Sequence, residues 1–303
     1  MDKITHTDFE EILGFNISEK IKQKIENYNL IFRDLDEKEL NDYYNKNLEV
    51  LTSDIAYSGS HRKNDWESGW GENLNNFITT KNNEDLIPKY HGKNKIVKWR
   101  QKPILPLIEN FDLKIHICFI DSIIEHYSNG IKSIYEFGCG PGYHLLRFSE
   151  YYPNIKLYGG DWAESSQKTI LEINKNFKSS ITPFNFNFFS PDMDMDIDDN
   201  SLFYTVAALE QVGSNFRRYI DYIMEKKPKI CINIEPISEL LDENNFFDNL
   251  SIKYFKKRNY LNGYLDFLID YEKRGFIEIL DKRRIYSGSY FIEGHSLIVW
   301  RPL

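Results

Sequence analysis

The residues best suited to chemistry lie in the run Tyr135-Glu136-Phe137-Gly138-Cys139-Gly140-Pro141-Gly142. An acid, Glu136, precedes three glycines spaced two apart, Gly138, Gly140 and Gly142, with Cys139 inside the turn. Glycine reaches positive φ and carries no Cβ, so such a turn can bend tightly and let a ligand approach main-chain N–H groups at a helix start. A dinucleotide fingerprint would need a glycine where Tyr143 stands. A second acid, Asp161, closes Gly159-Gly160-Asp161. The turn points to a bound small molecule.

The surrounding pattern supplies elements to hold these residues. Short apolar runs at 133–137, 155–160, 181–189, 201–207 and 229–236 alternate with helical segments, which predicts βαβ units and five parallel strands. A helix is predicted over 111–127, with Ile115, Phe119, Ile123 and Tyr127 on one face, and another near 258–274. The closing segments GFIEILDKRRI and SLIVWRP are joined too tightly for a crossover helix and are predicted to pair antiparallel. Residues 18–51 predict two surface helices, with Ser18 as N-cap and Ile21, Ile25, Leu40, Tyr44, Leu48 and Leu51 facing inward. Residues 52–105 interleave aromatic, basic, Gly and Pro residues and predict irregular structure with short helices.

An acid followed by G-x-G-x-G after the first strand resembles the first motif of the class I S-adenosylmethionine-dependent methyltransferases, and the resemblance runs over roughly residues 111–303. It implies a Rossmann-like α/β fold with a mostly parallel sheet and an antiparallel C-terminal strand. Residues 1–110 are expected to add a mainly helical cap that contributes to the substrate pocket. The resemblance also implies a cofactor, S-adenosylmethionine (SAM), held by Glu136, Gly138, Cys139, Gly140, Gly142 and the ribose-binding Asp161. Trp162 would lie against adenine. The family's third-strand acid near adenine falls here on Asn187, followed by Phe188. Another nucleotide ligand is the alternative for the turn.

In an open α/β sheet the ligand lies beyond the carboxyl ends of the strands, which places Glu210-Gln211 and Glu235-Pro236 toward the acceptor. Methyl transfer is an in-line displacement, and a hydroxyl acceptor must lose its proton. The candidate bases are Glu210, Glu235, His144 and His295, of which Glu210 and Glu235 are taken as the catalytic pair. Each also has a structural reading: a carboxylate can cap a helix or pair with a cation, and a histidine can simply pack. For the acceptor, Trp66 and Trp70 could stack on a sugar or form a helix-packing stripe, and Tyr90, Lys98, Trp99 and Arg100 could close over the site. The basic groups Arg258, Arg283, Arg284 and His61-Arg62-Lys63 could hold a phosphate. Segments near the C-terminus, from Glu235-Pro236 to the closing SLIVW, resemble methyltransferases of surface-polysaccharide biosynthesis, which implies a carbohydrate or nucleotide-sugar acceptor. N-methylation, methylation of a phosphorylated metabolite and a non-catalytic SAM-binding module are the other readings.

Composition narrows the partners. With 46 acidic against 38 basic residues the net charge is −8, the wrong sign for non-specific binding to nucleic acid or an anionic membrane. Aromatics make up 15% of 303 residues, enough for a sizeable core. Three cysteines without C-x-x-C spacing suggest neither a disulfide framework nor a metal cage, and with no apolar stretch of membrane length the expectation is a cytoplasmic protein. The acidic run 192–199 begins like a calcium loop. Ile197 stands where the turn glycine belongs and Phe203 where a bidentate glutamate belongs, so an exposed loop is expected and no metal is assigned.

Overall fold

The computed structural model describes residues 1–303. In chain order the first part contains β1 (Asp2–Lys3), α1 (His6–Leu13), α2 (Glu19–Tyr28), β2 (Ile31–Asp34), α3 (Glu37–Thr52), α4 (Lys63–Thr80), β3 (Val97–Trp99) and β4 (Lys102–Pro106). The second part runs α5 (Phe111–Tyr127), β5 (Ser133–Phe137), α6 (Tyr143–Tyr151), β6 (Lys156–Asp161), α7 (Glu164–Phe177), β7 (Ile181–Asn185), β8 (Ser201–Val206), α8 (Arg217–Lys226) and β9 (Ile230–Glu235). It ends with α9 (Phe246–Arg258), α10 (Tyr264–Lys273), β10 (Ile277–Arg284), β11 (Ser287–Gly288) and β12 (Ser296–Pro302). No helix is long and apolar enough to cross a membrane.

The main sheet has seven strands in the order β10-β12-β9-β8-β5-β6-β7. Strands β5 to β9 are parallel, β12 runs antiparallel to β9, and β10 runs antiparallel to β12. The strand order reverses between β5 and β8, which opens a crevice at their carboxyl ends. Side chains alternate across the pleat. Ile134, Leu202, Tyr204, Ile232 and Ile234 pack on one face, and Tyr135, Phe137, Phe203 and Cys231 on the other. The five parallel strands and the antiparallel close are as the apolar runs predict. The predicted helix near 258–274 is α10, which starts later, at Tyr264, and is preceded by a further helix, α9, that ends where Asn259 adopts φ 54°.

The first 110 residues hold more helix than strand, and add a small sheet that the sequence does not announce. Four of their strands join β11 in a second, five-stranded sheet, ordered β1-β2-β4-β3-β11. These strands are two to five residues long, too short to show a period of two. The β3–β4 turn places Arg100 and Gln101 at φ 48° and 65° without the Asn-Gly pair that announces such hairpins. Residues 63–80, expected to be irregular, form one 18-residue helix. It carries Gly69 and Gly71, and each glycine costs about 1 kcal/mol of helix propensity, so tertiary contacts must supply the difference. Ser18 caps α2, accepting from Ile21 N at 3.4 Å. In α3 the buried side chains are Tyr43 and Asn47, while Leu48 is exposed, so the helix is rotated one position from the predicted face. A single apolar cluster runs from Ile4, Phe9 and Leu13 through Phe119 and Ile123 of α5 to Val299 of β12.

Candidate functional site

The glycine turn follows β5 as its composition requires. Gly138, Gly140 and Gly142 all have positive φ. At Gly138 a Cβ would lie 2.4 Å from that of Ala208, and at Gly140 it would lie 3.1 Å from the ring of Trp70. Asp161 locks this turn from the end of β6: Oδ2 accepts from Gly140 N and Oδ1 from Ala163 N, both at 2.9 Å. The side chain is buried, and burial pushes its carboxyl up to about 6. Because a carboxylate offers about four acceptor positions, two backbone bonds leave others for a ligand.

Gly138, Gly140, Asp161, Trp70 and Ala208 line one cleft. Trp162, Phe186, Phe188 and Phe189 come from the segments after β6 and β7, and Val206, Ala207, Ala208 and Gln211 from the end of β8 and beyond. Trp162 stacks on Phe189 with ring centroids 5.9 Å apart, and Phe188 meets Phe186 edge-on. Ala207 holds φ 50°, an uncommon value for a residue with a Cβ, where the chain turns out of β8 into the cleft.

Helix α4 supplies Trp66 and Trp70 to the same cleft, stacked at 5.4 Å with Trp70 against Gly140, so helix packing and site formation coincide in this pair. Its anchor is Glu67. The carboxylate accepts from Glu164 N at 2.7 Å and Ser165 N at 3.0 Å, capping α7 from another element because the N-cap residue, Ala163, cannot do so. Glu67 was not singled out from the sequence, where the only signal is an alanine at the helix start. Glu67→Ala is expected to cost about 1–2 kcal/mol and to free α4. Thermal melting gives the first effect. Faster hydrogen exchange at the start of α7, together with altered tryptophan emission, gives the second.

The acids after β8 and β9 are placed differently from their predicted role. Glu235 is fully buried and does not line the cleft: its carboxylate accepts from Ala208 N, Leu209 N and Glu210 N at 3.0–3.2 Å and so fixes the loop after β8. Burial raises it to about 7 against these bonds. Glu210 lies behind Gln211, accepting from its Nε2 at 2.8 Å, and burial followed by repulsion from Glu235 raises it to about 8. It is Gln211, also held by Ser58 Oγ at 2.9 Å, that reaches the cleft.

Other candidates divide in the same way. Gly142 caps α6 and packs toward Ile170 and Ile173 outside the cleft. Asn187 is also off the cleft lining, its Oδ1 taken by Phe189 N in a local turn, while its neighbour Phe188 lines the cleft. Cys139, Tyr90 and His144 line it as well. Of the expected closing group only Tyr90 arrives: Lys98 pairs with Glu293 in the interior, Trp99 packs on Phe9 and Phe119, and Arg100 meets Asp8 and Glu11. Arg283 is committed to Asp281 and the Leu13 carbonyl, Arg284 to Asp248, and Arg258 to the Ala56 carbonyl. Arg62 pairs with Asp65 and lies over Trp66. In the acidic run, Asp198 is held by Lys156 and Tyr158. His295 stands just before β12, its ring 6.3 Å from that of His116.

No protein-family model and no curated protein sequence matches the chain. The fold recurs among solved structures. The [4+2]-cyclase SpnF matches with a TM-score of 0.50 at 14% identity, over 82% of this chain and 98% of that one. The methyltransferase domain of bacterial CtHen1 matches at 0.44 and 15%, over 63% and 99%. A LepI complex with SAM matches at 0.40 and 10%, over 61% and 46%. The chain spans less than half the length of LepI and of a pericyclic reaction enzyme that it also matches. Strand order, the antiparallel close and the SpnF match define the class: a Rossmann-like methyltransferase fold with an added N-terminal region.

Proposed function

We propose that the chain is an enzyme that binds SAM in this cleft and methylates a hydroxyl of a small molecule. The observation that carries the reading is the turn itself, in which Asp161 holds Gly140 beneath Trp70 and the cleft runs on past Glu136. Two buried polar atoms on its lining have no protein partner, Glu136 Oε2 and Trp66 Nε1. An unmatched acceptor and an unmatched donor suit a ligand bearing both an ammonium and a carboxylate, which SAM does. Asp161 would take the ribose hydroxyls, and the Trp162–Phe189 stack with Phe188 would take the base. When bound, SAM supplies an electrophilic methyl group. The protein's part is to hold the acceptor in line and to exclude water, which the aromatic lining and α4 favour.

The finer form of the reading is a carbohydrate or nucleotide-linked sugar acceptor of polysaccharide biosynthesis, supported by the aromatic faces of Trp66 and Tyr90 on the cleft. The phosphorylated acceptor loses support, because Arg258, Arg283 and Arg284 are spent on internal partners. Calorimetric titration with SAM and with its demethylated product, S-adenosylhomocysteine (SAH), tests the cofactor. Saturable binding that Gly140→Val abolishes is expected, and folded protein that binds neither refutes the reading. Incubation with methyl-labelled SAM and fractionated metabolites then separates methyl transfer from binding alone, and mass spectrometry of the labelled product separates O- from N-methylation.

A further inference from the structure

Four of the seven histidines gather beside the cleft around His116 of α5. Its ring lies 5.1 Å from that of His91, 5.5 Å from His144 and 6.3 Å from His295. Of the four, His144 at the start of α6 lines the cleft, its side chain 15% exposed. His144 Nδ1 lies 2.9 Å from Glu136 Oε1. A carboxylate only accepts, so this contact places the ring proton on Nδ1 and leaves the Nε2 lone pair free.

We propose that His144 is the base of the methyl transfer and that Glu136 is its positioning residue, an inference that rests on the SAM reading of the cleft. Glu235 is bound by three amides and Glu210 lies behind Gln211, so neither predicted base meets an acceptor. His144 has the exposure and the held tautomer that the role requires. As the acceptor oxygen bonds to the methyl carbon, the carbon–sulfur bond breaks with its electron pair going to sulfur. The acceptor's proton passes to Nε2. The positive charge thereby moves from the sulfonium to an imidazolium paired with Glu136, and solvent later takes the proton.

The groups around the ring favour this placement. Glu136 faces it from β5, with the Tyr204 phenol of β8 next to that carboxylate. His116 faces it from α5, with His91 and His295 beyond. Arg147, on the same helix as His144, is held by Asp121, and Tyr90 stands on the cleft lining. His116 is kept neutral first by burial and then by its three imidazole neighbours. Two rings of the cluster have a carboxylate partner, His144 with Glu136 and His91 with Asp112, and of these His144 lines the cleft.

Nitrogen-15 NMR of the imidazoles, in the SAH and SAM complexes of the full chain, tests this. A wild-type His144 protonated on Nδ1 is expected in both complexes, and Glu136→Gln is expected to shift the proton to Nε2. In the methyl-labelling assay, His144→Gln should cut transfer by roughly a hundredfold or more. A proton on Nε2 in the wild type, or undiminished transfer by His144→Gln, overturns the base while leaving the cofactor reading intact. If neither compound binds, the cofactor reading fails, and the inference fails with it.

Discussion

Asp161→Asn is expected to weaken SAH binding by roughly a hundredfold and to lower the melting temperature by several degrees. In the wild type one carboxylate accepts from Gly140 N and Ala163 N while still facing the cleft. The amide keeps a single acceptor and turns its N–H2 toward one of those donors. With charge-assisted bonds contributing about 1.5–3 kcal/mol each, the loss in stability should be about 2–4 kcal/mol. Stability and binding respond oppositely to pH. Burial raises the folded carboxyl from its ordinary 3.8 to about 6, so the native chain holds this proton more tightly than the unfolded chain. Stability from this group is therefore complete below 3.8 and is lost as pH rises toward 6. Ribose hydroxyls donate to the ionised form, so SAH affinity should instead fall below pH 6, approaching about tenfold per unit. Calorimetry from pH 5 to 7.5 measures it. A flat profile, or wild-type affinity in the asparagine variant, would remove Asp161 from the ligand.

The half of the fold from residue 111 onward was legible because its signals are local. The apolar runs of β5, β8 and β9 are buried on both faces and read as strands directly. The glycine turn and Asp161 were legible because their residue types are nearly dictated by positive φ and close approach. The N-terminal sheet was not, because its order exists only after β11, nearly two hundred residues downstream, pairs with β3. Glu67 and Glu235 escaped for a related reason: each satisfies backbone amides of a distant segment, and no spacing within the chain announces such a partnership. Glu235 shows the limit clearly. Its position at a strand end suggested an acid facing substrate, yet the amides it binds are those that shape the cleft lining at Ala208.

Glu210→Gln and Glu235→Gln, adjacent acids with similar burial, are expected to change stability in opposite directions in the pH range where each effect is largest. Glu210 is raised from 4.5 to about 8, first by burial and then by Glu235. At pH 7 the native chain must hold its proton while the unfolded chain gives it up, so wild-type stability falls as pH rises from 4.5 to 8 and levels off above. Glutamine keeps the shape, still accepts from Gln211 and has no proton to lose. A gain of up to about 4 kcal/mol at pH 7.5 is expected, shrinking to nothing below pH 4.5. Glu235 is also raised, to about 7, but its oxygens answer three amide donors and glutamine can answer only part of that set. Its variant should lose about 1–3 kcal/mol near pH 4.5, and the loss should shrink as pH rises toward 7, because the amide has no proton to lose. Urea midpoints measured from pH 4 to 9 distinguish the two. Equal shifts of the same sign would mean that the pair behaves as one buried acid and that the loop after β8 does not depend on the Glu235 carboxylate.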